Sequence, residues 1–379
     1  MRSFFIGGNT VKKQISLVLA LAAILSANIF AQTTPKPTAT PPVDDDIIKV
    51  ESRLVVVPVS VTDAAGQPVL GLKAEDFQVQ EENRRQEVAQ VSDAEKVPLE
   101  IALLFDVSAS TDAMFQFELE TASQFLREVM RPGDHATIFT IGERPILVQA
   151  RDSAEKAQIS IKSIQGTKEF TAFYDTVNTA ANYLQKNAPQ GTRKVIIAIS
   201  DGEDTNSEGI RRGFAAVDRS LGSKIDTIDR KQLRDLYASK RDEIRGNEQK
   251  NTLRMLQNAD TVFYAINPAG SSYQLNQISQ FGQSNLQRFA DETGGTAFLP
   301  KFVSVETKDN LQNSSNARRN QEALTRIFQQ LANELQAQYL VQYYSESDFP
   351  VNKYVTLNVN LTSPKNYKLR ARQGYFVKN

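Results

Sequence analysis

Between residues 97 and 337 the sequence alternates short apolar runs with amphipathic helical patterns, and that alternation limits the fold more than any other feature. Strands are expected at Glu100–Phe105, Ala136–Gly142, Pro145–Gln149, Lys194–Ser200, Thr261–Asn267 and Thr296–Leu299. Helices are expected over Phe115–Met130, from Thr171 onward, over Ser284–Thr293, and through Leu324, Ile327, Phe328, Leu331 and Leu335. Phe115, Leu119, Ala122, Leu126 and Val129 recur every three or four residues, so they share one helix face. Strands alternating with one-sided helices give a mostly parallel sheet covered on both sides, a doubly wound α/β fold. Open sheets of this kind take ligands just outside the carboxyl ends of their strands.

Two of those strand ends carry oxygen ligands. Asp106, Ser108 and Ser110 follow the first apolar run as D-x-S-x-S, and Lys194–Ser200 runs into Asp201-Gly-Glu-Asp204. Thr171 supplies a third hydroxyl at the start of a helix. An acid and two hydroxyls at alternate positions, where a buried strand runs out, form a hard-oxygen cation site that suits Mg²⁺ or Mn²⁺ rather than zinc. Taken singly, Ser110 and Thr171 also read as helix N-caps. Asp112, Glu169, Asp175, Glu203 and Asp204 lie nearby in sequence and read as solvated surface or as groups behind the ligands.

Together these residues resemble the von Willebrand factor A (VWA) domain and its metal-ion-dependent adhesion site (MIDAS). That pattern is D-x-S-x-S, then a Thr ahead of an Ala-rich helix, then an Asp ending a central strand. Asp106, Ser108, Ser110, Thr171 and Asp201 fill all five positions, and Thr171-Ala-Phe-Tyr-Asp175 is similar to the family's T-A-L-Y-D helix start. The resemblance covers residues 97–337 and implies a Rossmann-like fold with these five as metal ligands. It also implies that Asp106 and Asp201 act largely through water, leaving the cation an open position for a partner's carboxylate. Val61-Thr-Asp-x-x-Gly66-x-Pro-Val69, Gly71-Leu-x-x-Glu-Asp-Phe77 and Ala371-Arg-Gln-Gly-Tyr-Phe376 resemble exported bacterial VWFA-related proteins of the acidobacterial type.

Residues 48–96 and 338–379 read as β. Leu54–Val61 is almost continuously β-branched and is expected to be buried on both faces. Val355, Leu357, Val359 and Leu361 alternate with polar residues, as in a half-exposed strand. Neither segment is long enough for a sandwich alone. They are expected to pair into one discontinuous, sandwich-like all-β domain with the α/β domain (97–337) inserted. Within the latter, residues 207–258 form an insertion after Asp201. It reads as a solvated helical hairpin or, alternatively, as a border of the metal face that helps choose the ligand.

Arg2, Lys12 and Lys13 followed by the apolar Ile15–Phe30 read as a signal peptide over residues 1–31, giving a mature start near Gln32. An uncleaved anchor is the alternative. The stretch is short for a ~20-residue span, and Ser26 and Asn28 interrupt it. Residues 32–47, with Pro35, Pro37, Pro41 and Pro42 before Asp44-Asp45-Asp46, read as a linker. An exported chain, periplasmic or secreted, with no cysteine is held by its core alone and does no thiol chemistry. Forty-four basic and forty-four acidic residues cancel, giving no global reason to expect nucleic acid or an anionic membrane as partner. The only histidine, His135, reads as a loop residue, and Gly294-Gly295 as a helix stop.

Three function classes follow. The first is a divalent-cation-dependent adhesion module that binds a protein or peptide presenting Asp or Glu. The second is a structural scaffold or assembly subunit with a static metal. The third is a metal-assisted hydrolase, which would use the cation as a Lewis acid; no nucleophile or general base is evident for it, so the chain is expected not to be an enzyme.

Overall fold

The computed structural model describes residues 53–93, 96–108, 113–167, 170–222, 227–268, 277–303, 308–363 and 366–378, all within one compact unit, Val50–Asn379. The expected signal peptide and linker lie outside the described residues.

The described chain opens with β1 (Arg53–Thr62), β2 (Phe77–Glu81), β3 (Arg84–Gln86) and β4 (Val88–Asp93). The α/β part follows as β5 (Leu99–Asp106), α1 (Ala113–Val129), β6 (His135–Ile141), β7 (Ile146–Asp152), α2 (Ala154–Lys162), α3 (Phe173–Asn187) and β8 (Arg193–Ile199). It continues with α4 (Glu208–Leu221), α5 (Arg230–Asn258), β9 (Thr261–Ile266), α6 (Gln277–Thr293), β10 (Ala297–Phe298) and α7 (Asn310–Gln336). The last strands are β11 (Gln338–Ser345), β12 (Tyr354–Leu361), β13 (Lys368–Ala371) and β14 (Gly374–Phe376).

The central sheet runs β10-β9-β8-β5-β6-β7, parallel throughout except for β7 at one edge. Its inner strands read as unbroken apolar runs because both faces are covered. Ile101, Leu103 and Phe105 pack with the apolar stripes of α1, α2 and α7, whereas Ala102 and Leu104 pack with α3, α5 and α6. The sequence pattern did not show α2, whose buried residues are only Ala157 and Ile161. Strand order runs outward in both directions from the adjacent pair β5 and β8. Their following loops therefore diverge and leave a crevice between them, at the carboxyl edge.

Two antiparallel sheets, β13-β1-β11-β4 and β14-β12-β2-β3, each combine strands from both ends of the sequence. Val57 lies opposite Val341, and Val79 opposite Val359. Val55, Val57, Val59, Val61, Val79, Tyr343 and Val355 share one core between the sheets, a sandwich-like arrangement. Within it Glu81, 1% exposed, accepts hydrogen bonds from the Tyr375 hydroxyl (2.6 Å), the Tyr343 hydroxyl (2.8 Å) and Ser345 Oγ (2.8 Å).

β1 departs from expectation in its first half. Leu54 is exposed and Val56 half-buried, so only one face there meets the core. From Ser60 to Thr62 both faces are covered, where Ser60 Oγ donates to the Glu334 carbonyl of α7 (3.2 Å). Glu334 also accepts from Thr296 Oγ1 (2.6 Å), and Arg193 Nη1 donates to the Leu335 carbonyl (2.7 Å). The start of β8, the end of α7 and the sandwich thus meet in one buried polar seam.

His135 opens β6 instead of lying in a loop, because the preceding turn ends at Asp134, whose carboxylate accepts from the Arg131 N–H (2.8 Å). Its Nδ1 lies 2.7 Å from Arg151 Nη2, and Arg151 binds the buried Glu100 through two hydrogen bonds of 2.7 and 2.8 Å. Gly294 ends α6 at φ 89°, as a helix stop requires. The 207–258 segment is the hairpin of α4 and α5; the buried residues of α5 all lie at or beyond Arg245. Among the described residues no helix is long and apolar enough to cross a membrane.

Candidate metal centre

Asp106 is the last residue of β5, and Ser200 and Asp201 follow β8 directly beside it. Asp106 Oδ1 accepts from Ser108 N–H (3.1 Å) and Ser108 Oγ (2.7 Å), and its Oδ2 accepts from Ser200 Oγ (2.6 Å). Ser200 Oγ in turn accepts the Gly202 N–H (3.0 Å). Asp201 Oδ1 accepts the Glu203 N–H (2.9 Å).

Burial pushes the Asp106 carboxyl above its usual range; the Ser108 and Ser200 hydrogen bonds oppose the rise and the charge of Glu203 adds to it. Burial, then the neighbouring Asp106 charge, pushes Asp201 up to about 7. Desolvation pushes both carboxyls up, and the charge of Asp106 pushes Asp201 further, so a nearby positive charge would relieve them. A divalent cation supplies one, and the oxygen-only donor set fits a hard ion. Among the described residues no three or more of Asp, Glu, His and Cys gather into a metal cluster.

Thr171 is buried just ahead of α3. Its N–H donates to Thr205 Oγ1 (3.0 Å), and its carbonyl accepts from the Thr205 and Asn206 N–H groups (2.9 Å each). Thr171 is not the N-cap of α3; Ala172 is. The free N–H groups of that helix go instead to the loop after β8. Tyr174 N–H donates to Asp204 Oδ2 (2.9 Å) and Asp175 N–H to Ser207 Oγ (3.0 Å). In return Asp175 Oδ2 accepts the Glu208 N–H at the start of α4 (2.8 Å). The two helix starts therefore cap each other, and the Thr171 hydroxyl has no hydrogen-bond partner among the described residues.

The structure brings Asp106, Ser108 and Asp201 to one strand edge and ties Thr171 to the same loop. Ser110 lies outside the described residues, as do Asp112 and Glu169. Sequence reading missed Ser200. Asp204, read as solvated surface or as a group behind the ligands, is 4% exposed and is pushed up to about 6 by burial against the hydrogen bonds it accepts. The signal was present: Asp204 and Ser207, three apart ahead of an amphipathic run, form a capping pattern.

Close packing fixes the Asp201 loop from behind. Gly202 holds φ 76°, and a Cβ on Gly282 of α6 would stand 2.7 Å from the Asp201 carbonyl oxygen. Asn285 Nδ2 donates to the Gly202 carbonyl (3.0 Å), and Asn285 Oδ1 accepts from Tyr174 (3.0 Å) and from Gln249 of α5 (2.9 Å). The insertion is thereby joined through Asn285 to the residue after Asp201.

Residues 101–203 match the family model of the von Willebrand factor type A domain. Among curated proteins nothing matches. Similar solved structures include the conserved hypothetical protein BatB from Bacteroides thetaiotaomicron (12% identity, 60% of this chain and 99% of that one, TM-score 0.33). Another is proximal thread matrix protein 1 from the mussel byssus with a zinc-occupied MIDAS motif (13% identity, 66% and 48%, TM-score 0.39). The SpRpn10 VWA domain is a third (12% identity, 54% and 88%, TM-score 0.34). With its doubly wound sheet and with Asp106 and Asp201 at adjacent strand ends, the segment 101–203 is similar to the von Willebrand factor type A domain.

Proposed function

We propose that this chain is a divalent-cation-dependent protein-binding module, in which Asp106, Ser108, Ser110, Thr171 and Asp201 hold the cation and a partner's Asp or Glu completes its coordination. The observation that carries this reading is the pair of partly buried carboxyls, Asp106 and Asp201, at adjacent strand ends, both pushed up by desolvation and Asp201 further by the charge of Asp106. Oxygen donors favour Mg²⁺ or Mn²⁺. The module binds without bond-making chemistry and acts outside the cytoplasm, in keeping with the charged and then apolar start of the sequence. The β segments at 48–96 and 338–379 form a single domain that presents it.

Calorimetric titration of Mg²⁺, Mn²⁺ and Zn²⁺ into the protein tests the site, beside folded Asp106→Ala and Thr171→Ala variants. Saturable binding of Mg²⁺ or Mn²⁺, weakened about tenfold or more in each variant (about 1.4 kcal/mol or more), is the expected result. A wild type that takes up none of the three ions removes the cation, and with it the proposed capture of a carboxylate.

A further inference from the structure

At the other end of the central strands from Asp106, a second group of charges surrounds a cavity. Lys194 is the second residue of β8, and close by is Asp260, in the turn between α5 and β9 at φ 52°. Asp260 Oδ1 accepts from Arg372 Nη1 (2.9 Å), and Oδ2 from Lys378 Nζ (2.6 Å). Arg53, Asp260, Arg372, Tyr375, Phe376 and Lys378 line a cavity of about 130 Å³.

Among the described residues that line the cavity, Asp260 is the one carboxylate beside Arg53, Arg372 and Lys378, and Lys194 lies close to it. Burial lowers the Lys194 pKa and the charges of Lys378 and Arg372 lower it further, while Asp260 opposes them. Burial works to raise the pKa of Asp260, yet Arg372, Lys378 and Lys194 hold it below the usual carboxylate range. Hydrogen bonding is incomplete. Arg53 Nη1 and Arg372 Nε are both buried without a partner among the described residues, and the Arg372 side chain is only 7% exposed. Leaving buried charged donors unpaired is costly, so their retention beside a cavity points to an acceptor that arrives from outside.

We propose that this cavity is an oxyanion site that takes a compact phosphate-class anion between Arg53, Arg372 and Lys378. Guanidinium groups match the oxygens of phosphate or sulfate in charge and in planar donor geometry. The volume admits a compact anion; pockets for drug-sized ligands are usually about 300–1,000 Å³. The site owes nothing to the metal centre, since β8 separates Lys194 from Asp201 along its whole length.

The test is calorimetric titration of inorganic phosphate into the full chain in the presence of a chelator, with ionic strength held constant by sodium chloride. ³¹P line broadening serves as a second readout. Saturable binding is expected, weakened about tenfold in Arg53→Gln and in Lys378→Gln, as for loss of one charge-assisted hydrogen bond. Both residues lie at the partly exposed rim, so neither variant opens the core. Asp106→Ala should bind phosphate as wild type does. A response that chloride reproduces, rim variants within twofold of wild type, or loss of binding in Asp106→Ala would each overturn the assignment.

Discussion

Asp204 and Asp201 stand three residues apart on one loop and do different work. Asp204 is surrounded by donors, accepting from Tyr174, Asn206 and Ser207 backbone N–H groups and from Ser207 Oγ, and so acts as a cap. Asp201 accepts the Glu203 N–H, has fewer donors around it, and is pushed up by the charge of Asp106. The difference predicts a pH profile. A carboxyl whose folded pKa is raised to about 7, against about 4 when unfolded, binds a proton in the folded state alone between those values. Its contribution to stability therefore falls as pH rises from about 4 to about 7 and is level above. Metal-free wild type should lose stability relative to Asp201→Asn across that window, on the order of 1 kcal/mol after solvent screening. Saturating Mg²⁺ should flatten the difference. Urea denaturation of both proteins at pH 5 and pH 8 measures it, and parallel profiles without metal would sink the account. At this scale the sequence displayed the acids and hydroxyls through their spacing. It did not display burial, which separates Asp204 from the solvated surface where its charge alone would place it.

The long helix α5 has two halves with different roles. Its buried positions, among them Leu253 and Leu256, all lie in the second half, while Leu233 and Leu236 in the first half are half-buried. Leu256→Ala should cost about 2–5 kcal/mol, as for a filled core site, whereas Leu233→Ala should cost under about 1 kcal/mol. Equal losses in denaturant titration would show that the whole insertion is core. The hairpin itself was legible, because its charges alternate in sign around an apolar stripe. Its hold on the Asp201 loop was not, since Gln249 reaches that loop through Asn285 on another helix. Likewise β5 and β8 were plain as apolar runs covered on both faces. β1 looked the same in sequence, yet Leu54 is exposed and Val56 half-buried, because apolar residues also occupy the open side of a strand.

For the molecule as a whole, the seam formed by Ser60, Arg193, Thr296 and Glu334 makes the sandwich and the α/β part neighbours through buried polar contacts. Such contacts are costly to leave half-made, so the two parts should unfold together. Val57→Ala in the sandwich core should destabilise by about 1–3 kcal/mol. It should also lower amide-exchange protection in β8 as well as in β11. Loss confined to β11 would mean that the two parts open independently. Pairing of the chain's two β segments also sets an order of events during synthesis. β1 leaves the ribosome early, but its partners in the sheet are β11 and β13, so most of its edge groups wait while the entire α/β part is made. The last strands translated are thus the ones that close the sandwich, and a chain cut short after α7 would carry a complete central sheet beside a β1 without either of its sheet neighbours.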